Sequence, residues 1–249
     1  YRTIVLRTVA PVGVLTALAA LALAAIHIVA RRLRVSTNFP RSAWLSTAGG
    51  AAVAYVFVHV LPELNAGQAT LEGTVGFLEH HAYLVALGGF GTFYGVERLA
   101  LIGRDRAASD DPDDLNESIF WVHVGAFAGY NGLIGYLLVH RETPGTLSLV
   151  LFAVAMGLHF LVNDYGLRRH HERTYDRYGR WILALAVLCG WAIGLAVDVT
   201  EAAVAMLFAF LAGGVILNVV KEELPAERDG RFWAFAIGAT AYSAVLLLV

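Results

Sequence analysis

Long apolar stretches alternate with short polar segments from one end of the chain to the other. A helix needs about 20 apolar residues to cross the hydrocarbon core of a bilayer, so each stretch predicts one transmembrane helix. The helices are predicted at residues 9–30, 43–61, 82–101, 119–139, 147–167, 181–197, 202–220 and 232–249. The ten-residue alternation that is typical of transmembrane strands does not occur in the sequence. The pattern therefore predicts an all-α integral membrane protein with an eight-helix bundle.

The composition supports this interpretation. Hydrophobic residues make up 58% of the 249 residues and charged residues 15%, whereas soluble domains have about 45–50% and about 25%. The connecting segments are short, so we expect a single transmembrane domain over residues 1–249. One cysteine, Cys189, excludes an internal disulfide. The net charge of −2 provides no basic field, so no nucleic-acid partner is expected.

Basic residues are distributed unevenly over the connecting segments. Fifteen of the eighteen Lys and Arg residues lie in or beside the segments that follow predicted helices 1, 3, 5 and 7. Because basic residues favour the cytoplasmic side, these segments are predicted to be cytoplasmic and both termini extracytoplasmic. The acidic loop 103–118 is then cytoplasmic as well. Arg outnumbers Lys seventeen to one, which is typical of a GC-rich genome, and we expect the cell membrane of a bacterium or archaeon.

Several ionisable and amide side chains lie within the predicted helices. Such groups are expensive in a bilayer and therefore mark candidate functional sites. His59 and Glu63 are four residues apart, so they share a face of helix 2. His159 and Asn163 share a face of helix 5 in the same way, and Asp164 follows directly.

Helix 4 carries a stripe formed by His123, Phe127 and Asn131. Only residues 140–146 connect helices 4 and 5, so we expect the two helices to be antiparallel neighbours. Asn131 would then meet the polar residues of helix 5 near the middle of the membrane. Imidazole nitrogens and carboxylate or amide oxygens suit divalent cations. In the alternative interpretation, each polar group only forms a hydrogen bond to a neighbouring helix.

The order of these features resembles the ZIP (zinc- and iron-regulated transporter-like) family of divalent metal transporters over essentially the whole chain. Residues 59–64 read HVLPEL, similar to the family's His-x-x-Pro-Glu ending of helix 2, and residues 212–225 read AGGVILNVVKEELP, similar to its helix 7. The resemblance implies a 3+2+3 arrangement with an inverted repeat of helices 1–3 and 6–8. Independently, helices 2 and 7 both end in Leu-Pro with Glu nearby, which is what an inverted repeat would produce.

The family's metal site combines His-Asn-x-x-Asp-Gly on helix 4 with His-Glu-x-Pro-His-Glu on helix 5. The corresponding residues of this chain are FAGYNGL at 127–133 and HFLVND at 159–164, so only part of each motif is retained. Phe127 stands in place of the family's first His, and His123, one turn earlier, is a candidate replacement. The residues that remain offer at most one mid-membrane cation site, because a two-metal arrangement would need more carboxylates. The complete set of candidate ligands is His159, Asp164, Asn163, Asn131, His123, Glu63 and His59.

The resemblance implies transport of a divalent cation by alternating access, with zinc as the first candidate substrate and manganese, iron, cadmium or cobalt as alternatives. The expected partners are the lipid bilayer, the cation and a second copy of the chain in a homodimer. No organic cofactor and no catalytic residue are expected. The eroded motif leaves open a ZIP-like protein that has lost transport and acts as a sensor or partner subunit. Two further alternatives are a membrane-embedded metal-dependent hydrolase and a haem protein with axial ligands among His27, His59, His123 and His159.

Overall fold

The computed structural model describes residues 2–29, 41–72, 81–107, 112–141, 145–170, 172–223 and 231–248. These residues are helical apart from short connections, and no strand occurs among them. We number the helices α1 to α8 and treat consecutive helical segments as one helix. They are α1 (Arg2–Val29), α2 (Arg41–Tyr55, Val56–Val60 and Leu61–Glu72), α3 (His81–Ala107), α4 (Pro112–Leu137), α5 (Thr146–His170), α6 (Glu172–Thr174, Tyr175–Gly179 and Arg180–Ala196), α7 (Glu201–Asn218 and Val219–Glu223) and α8 (Phe232–Leu247).

Four of these helices contain segments long and apolar enough to cross a membrane: Ser46–Leu71, Thr146–Arg168, Glu172–Ala196 and Glu201–Lys221. Two shorter apolar segments, Gly13–Val29 and Phe232–Leu247, belong to α1 and α8. The chain is therefore an all-α protein with the helices of a membrane protein, and the described residues are consistent with the predicted count of eight helices.

Helix α2 extends ten residues beyond Pro62, although the prediction ended it at residue 61. A proline has no N–H to donate, and its ring crowds the carbonyl four residues back. The chain accommodates Pro62 with a π-helical turn at Val56–Val60, where the Leu61 N–H bonds to the Val56 carbonyl. This wider turn precedes the proline and lets the helix continue.

The loop predicted at 103–118 is much shorter in the structure. Helix α3 continues to Ala107, and α4 begins at Pro112. Proline is well suited to the first helical position because its missing N–H has no helical partner there. The only part of the predicted loop that remains between the two helices, residues 108–111, lies outside the described residues.

The helices pack in two groups of four. In the first group, α4 packs along α6, and α1 packs against both α6 and α5. In the second group, α2 packs along α8, α3 packs along α7, and α2 also contacts α7. The contact of α3 with α4 is the most extensive one between the two groups, and α5 additionally touches α2.

Glycines allow the helices of the second group to approach very closely. A Cβ on Gly50 of α2 would clash with the Phe235 carbonyl of α8, and a Cβ on Gly213 of α7 would clash with the Ala86 carbonyl of α3. In each case a π-helical turn begins six residues after the glycine, at Val56 and at Val219. Helices α2 and α7 therefore share the order of a close glycine contact followed by a π-helical turn.

Candidate functional site

Most of the buried polar side chains on α1, α4 and α5 belong to a single region of the first group. His27, Asn131, His159, Asn163 and Asp164 are each at most 6% exposed. A polar group in an apolar interior is destabilising unless it is hydrogen-bonded, and a charged group is more so. The contacts of these five side chains therefore determine whether the region can bind a ligand.

His27 of α1 is paired with Asp164 of α5. The His27 Nδ1 atom lies 3.0 Å from Asp164 Oδ1 and 2.9 Å from Asp164 Oδ2, so the ring N–H donates to a carboxylate. The other ring nitrogen, Nε2, lies 3.1 Å from the amide nitrogen of Asn131 on α4. Phe160 covers the His27 ring, with 4.5 Å between the ring centroids. Three helices thus converge on a buried carboxylate and an imidazole.

His159 lies next to this pair, since Asn163 precedes Asp164 in the same helix. Its Nε2 atom lies 2.9 Å from the Asn163 amide nitrogen and 3.2 Å from the Tyr130 hydroxyl. Asn163 Oδ1 is buried and has no hydrogen-bond partner among the described residues. An unpaired buried oxygen of this kind is destabilising. It is also available as a cation ligand beside an imidazole and a carboxylate.

The structure brings together four of the seven predicted site residues: Asn131, His159, Asn163 and Asp164. They form two adjacent clusters, one around His27 and one around Tyr130. His123 is half-buried on α4 and lies eight residues before Asn131, which is about 12 Å along the helix axis. It is therefore at a different level of the bundle from the four.

His59 and Glu63 form a separate pair. The His59 Nε2 atom lies 2.8 Å from Glu63 Oε2, and the imidazole stacks on Tyr55 with 5.1 Å between centroids. Both residues line a cavity of about 730 Å³ whose wall also includes His140, Arg141 and Glu201.

A second, smaller cavity also borders His59 and Glu63 and is lined by Leu137 of α4 and Phe152 of α5. Leu137 is six residues from Asn131, and Phe152 is seven residues from His159, which corresponds to about 9–10 Å along each axis. The His59–Glu63 pair therefore lies about two helical turns from the level of the buried cluster.

Arg141 lies at the α4 end of the larger cavity. Its guanidinium donates to the Leu138 carbonyl and, at 3.3 Å, to the Gly145 carbonyl, and so it satisfies backbone groups at the end of the helix. Burial lowers the pKa of Arg141, and the charge of Glu63 opposes this shift. The cavity therefore combines two carboxylates, a guanidinium and two imidazoles.

Among the described residues, no three His, Cys, Asp or Glu side chains converge at one point. His27 and Asp164 are in contact with each other, whereas the Nε2 atom of His159 is turned to an amide and a phenol. A cation held by all three would need the His27–Asp164 contact and the His159–Tyr130 contact to rearrange.

Two residues of this region, His27 and Tyr130, were not among the predicted cation ligands. His27 had a detectable signal, because it is the only ionisable side chain of the predicted helix 9–30, but its partner Asp164 is 137 residues away. Nothing in the sequence marks Tyr130 as a site residue, since a tyrosine in an apolar helix is typical of a packed core.

We compared the chain with protein-family models, with curated protein sequences and with solved structures, and no significant match was found.

Proposed function

We propose that this protein moves a divalent cation across a membrane, with zinc as the first candidate, and that the cation binds at the cluster of His27, Asn131, His159, Asn163 and Asp164. The observation that carries the proposal is the buried Asp164 carboxylate of α5, which is paired with the His27 imidazole of α1 within apolar helices. Ionisable groups at membrane depth are rare and mark ion or substrate pathways.

The donor types favour a borderline cation over a hard one. Two imidazoles, one carboxylate and amide oxygens match the nitrogen and oxygen ligands of zinc and its neighbours. Calcium takes six to eight oxygen ligands and magnesium demands octahedral oxygen coordination, which a single carboxylate supplies poorly. In the absence of a cation, the His27–Asp164 contact compensates for burial of the carboxylate.

The arrangement of helices supports alternating access. The five cluster residues all belong to the α1, α4, α5 and α6 group, and we propose that this group moves as a unit against the α2, α3, α7 and α8 group. The matching glycine contacts and π-helical turns of α2 and α7 support the inverted repeat that a ZIP-like 3+2+3 arrangement would have. We further propose eight membrane crossings, both termini extracytoplasmic, and the cell membrane of a bacterium or archaeon.

A second candidate is a membrane protein of the same architecture that binds a cation without moving it. It is favoured by the separation of His27, Asp164 and His159 into two clusters among the described residues. Uptake and binding, measured on the same preparation, distinguish the two candidates.

Replacing His159 with alanine is expected to weaken cation binding, so that the purified protein carries less bound metal, and to reduce uptake strongly, because an imidazole ligand is lost. The purified protein is analysed for metal content, and uptake of Zn²⁺, Mn²⁺, Fe²⁺, Cd²⁺ and Co²⁺ into proteoliposomes is measured. His123→Ala is the comparison on α4. If the cation is bound by the five cluster residues alone, this variant should keep both properties, because His123 lies about two helical turns from Asn131. A wild-type protein that neither binds nor moves any of these ions would refute the proposal, and binding without uptake would support the second candidate.

Replacing Glu63 with glutamine is expected to raise the KM for uptake about tenfold and to leave kcat nearly unchanged. The carboxylate lines the 730 Å³ cavity rather than the buried cluster, so it acts on the local concentration of cations. Glu172→Gln is the control, because Glu172 is 71% exposed and pairs with Arg168. An unchanged KM in Glu63→Gln would show that this carboxylate does not concentrate the cation in the cavity.

A further inference from the structure

The hydroxyl of Tyr130 on α4 contacts Nε2 of His159, which is the nitrogen that would bind a cation. The tyrosine is 2% exposed, its hydroxyl lies 3.2 Å from His159 Nε2, and 5.6 Å separates the ring centroids. The Asn163 amide lies 2.9 Å from the same nitrogen. An imidazole nitrogen binds a metal through its lone pair, which is engaged while these donors stay in place.

The two groups that engage His159 Nε2 differ in where they are anchored. Asn163 is on α5, four residues from His159, and therefore travels with it. Tyr130 is on α4, and its ring contacts the second helix group. It packs edge-on against Phe93 of α3, with 5.3 Å between centroids and 87° between ring planes.

Gly214 of α7 makes room for this contact. A Cβ at Gly214 would lie 3.0 Å from Tyr130 Cε2 and 2.9 Å from the Phe93 ring. The tyrosine therefore sits at a joint between the two helix groups, with its hydroxyl on His159 and its ring edge on Phe93 and Gly214. Movement of one group against the other must change the position of this ring relative to Phe93.

We propose that Tyr130 is a positioning residue that competes with the cation for His159 Nε2. While its ring is docked on Phe93 and Gly214, the hydroxyl keeps the nitrogen engaged and cation affinity is low. When the α3 and α7 side withdraws, the hydroxyl releases the nitrogen and affinity rises. This inference rests on the proposed function and adds that the cation affinity depends on the relative position of the two groups.

The test is a Co²⁺ titration of the detergent-solubilised full chain, read from the visible d–d absorption of imidazole-bound Co²⁺. Tyr130→Phe keeps the ring and removes the hydroxyl, so we expect binding about fivefold tighter, the equivalent of one net hydrogen bond. Tyr136→Phe is the matched control on the same helix, because the Tyr136 hydroxyl donates to the Val197 carbonyl at 3.2 Å. Its affinity should equal that of the wild type.

Two double-mutant cycles separate a positioning role from a structural one. In a His159→Ala background, Tyr130→Phe should leave the residual Co²⁺ affinity unchanged. Phe93→Leu should tighten Co²⁺ binding when Tyr130 is present and have no effect in Tyr130→Phe, because the docked ring acts through its hydroxyl.

Unchanged or weaker binding in Tyr130→Phe, with the wild-type protein still binding Co²⁺, would overturn this inference and leave the proposed function standing. An equal effect of Phe93→Leu in both backgrounds would overturn the role of docking. A wild-type protein without a Co²⁺ band would instead reject the proposed function, and this inference with it.

Discussion

Asp164→Asn is expected to lower cation uptake about 100-fold or more while leaving the protein folded. Among the described residues, Asp164 is the only carboxylate that is buried, at 1% exposure. Loss of groups that merely support metal ligands reduces metal affinity about 10–100-fold, and loss of the single charged ligand should do at least as much. The dication would then enter an apolar interior without a compensating negative charge.

The asparagine substitution separates function from folding. Its side-chain oxygen can still accept the hydrogen bond from His27 Nδ1, so the contact between α1 and α5 persists. Asp164→Ala would remove that acceptor and leave the His27 Nδ1–H without a partner in the core, at a cost of about 1–3 kcal/mol. Asparagine is therefore the informative variant, and alanine reports on stability as well as on transport.

Uptake into proteoliposomes and metal content of the purified variant are the measurements for Asp164→Asn. Asp198→Asn is the control, since the Asp198 side chain is fully exposed and lies 3.8 Å from His140. We expect wild-type uptake for this control. Wild-type uptake by Asp164→Asn would show that the transported ion is not bound by this carboxylate.

Gly135→Ala is expected to destabilise the protein strongly. A Cβ at this position would clash with the Val187 carbonyl oxygen and would lie 2.9 Å from the Trp191 backbone nitrogen and 3.0 Å from the Val187 carbonyl carbon. These are backbone atoms of α6, so no side-chain rotation relieves the contact and the two helices must separate. Overpacking costs about 1–3 kcal/mol, and we expect a value at the upper end, corresponding to a Tm about 5–10 °C lower.

Gly129→Ala on the same helix is the matched control for Gly135→Ala. A Cβ at Gly129 would meet nothing within 4 Å, and alanine is favoured over glycine in a helix interior by about 1 kcal/mol. Thermal unfolding in detergent should therefore show an unchanged or slightly higher Tm for this variant. Equal Tm values for the two variants would contradict the close contact of α4 with α6.

The helices were predicted well from the sequence, because the apolar character that defines them is a property of one segment of the chain. Hydropathy depends on the residues of one segment, and each predicted segment overlaps a helix of the structure. The predicted ends of the helices were less accurate. Pro62 reads as a helix terminator, yet the π-helical turn at Val56–Val60 absorbs it, and a turn of that kind has no marker in the sequence. The segment 103–118 reads as an acidic loop, although its polar residues continue α3 to Ala107 and begin α4 at Pro112.

The candidate site was partly predictable because several of its residues are close together in the sequence. His159, Asn163 and Asp164 follow one another on a helix, and the short connection between helices 4 and 5 predicted that Asn131 would be near them. The structure places these four side chains in two adjacent clusters, but Asn131 is linked to Asp164 only through His27 of α1 and not by a direct contact with α5. The prediction that they bind a cation stays a prediction, as does the involvement of His123, His59 and Glu63.

By itself, the sequence determined that the chain is helical, that it carries the apolar helices of a membrane protein and that it keeps few polar groups inside them. These properties follow from side-chain chemistry counted along one segment at a time. Only the tertiary structure decided that His27 pairs with Asp164, that Tyr130 engages His159 and that His59 and Glu63 belong to a separate cavity. The first two contacts join residues that are distant in the chain, and such contacts form only when helices from separate segments pack together.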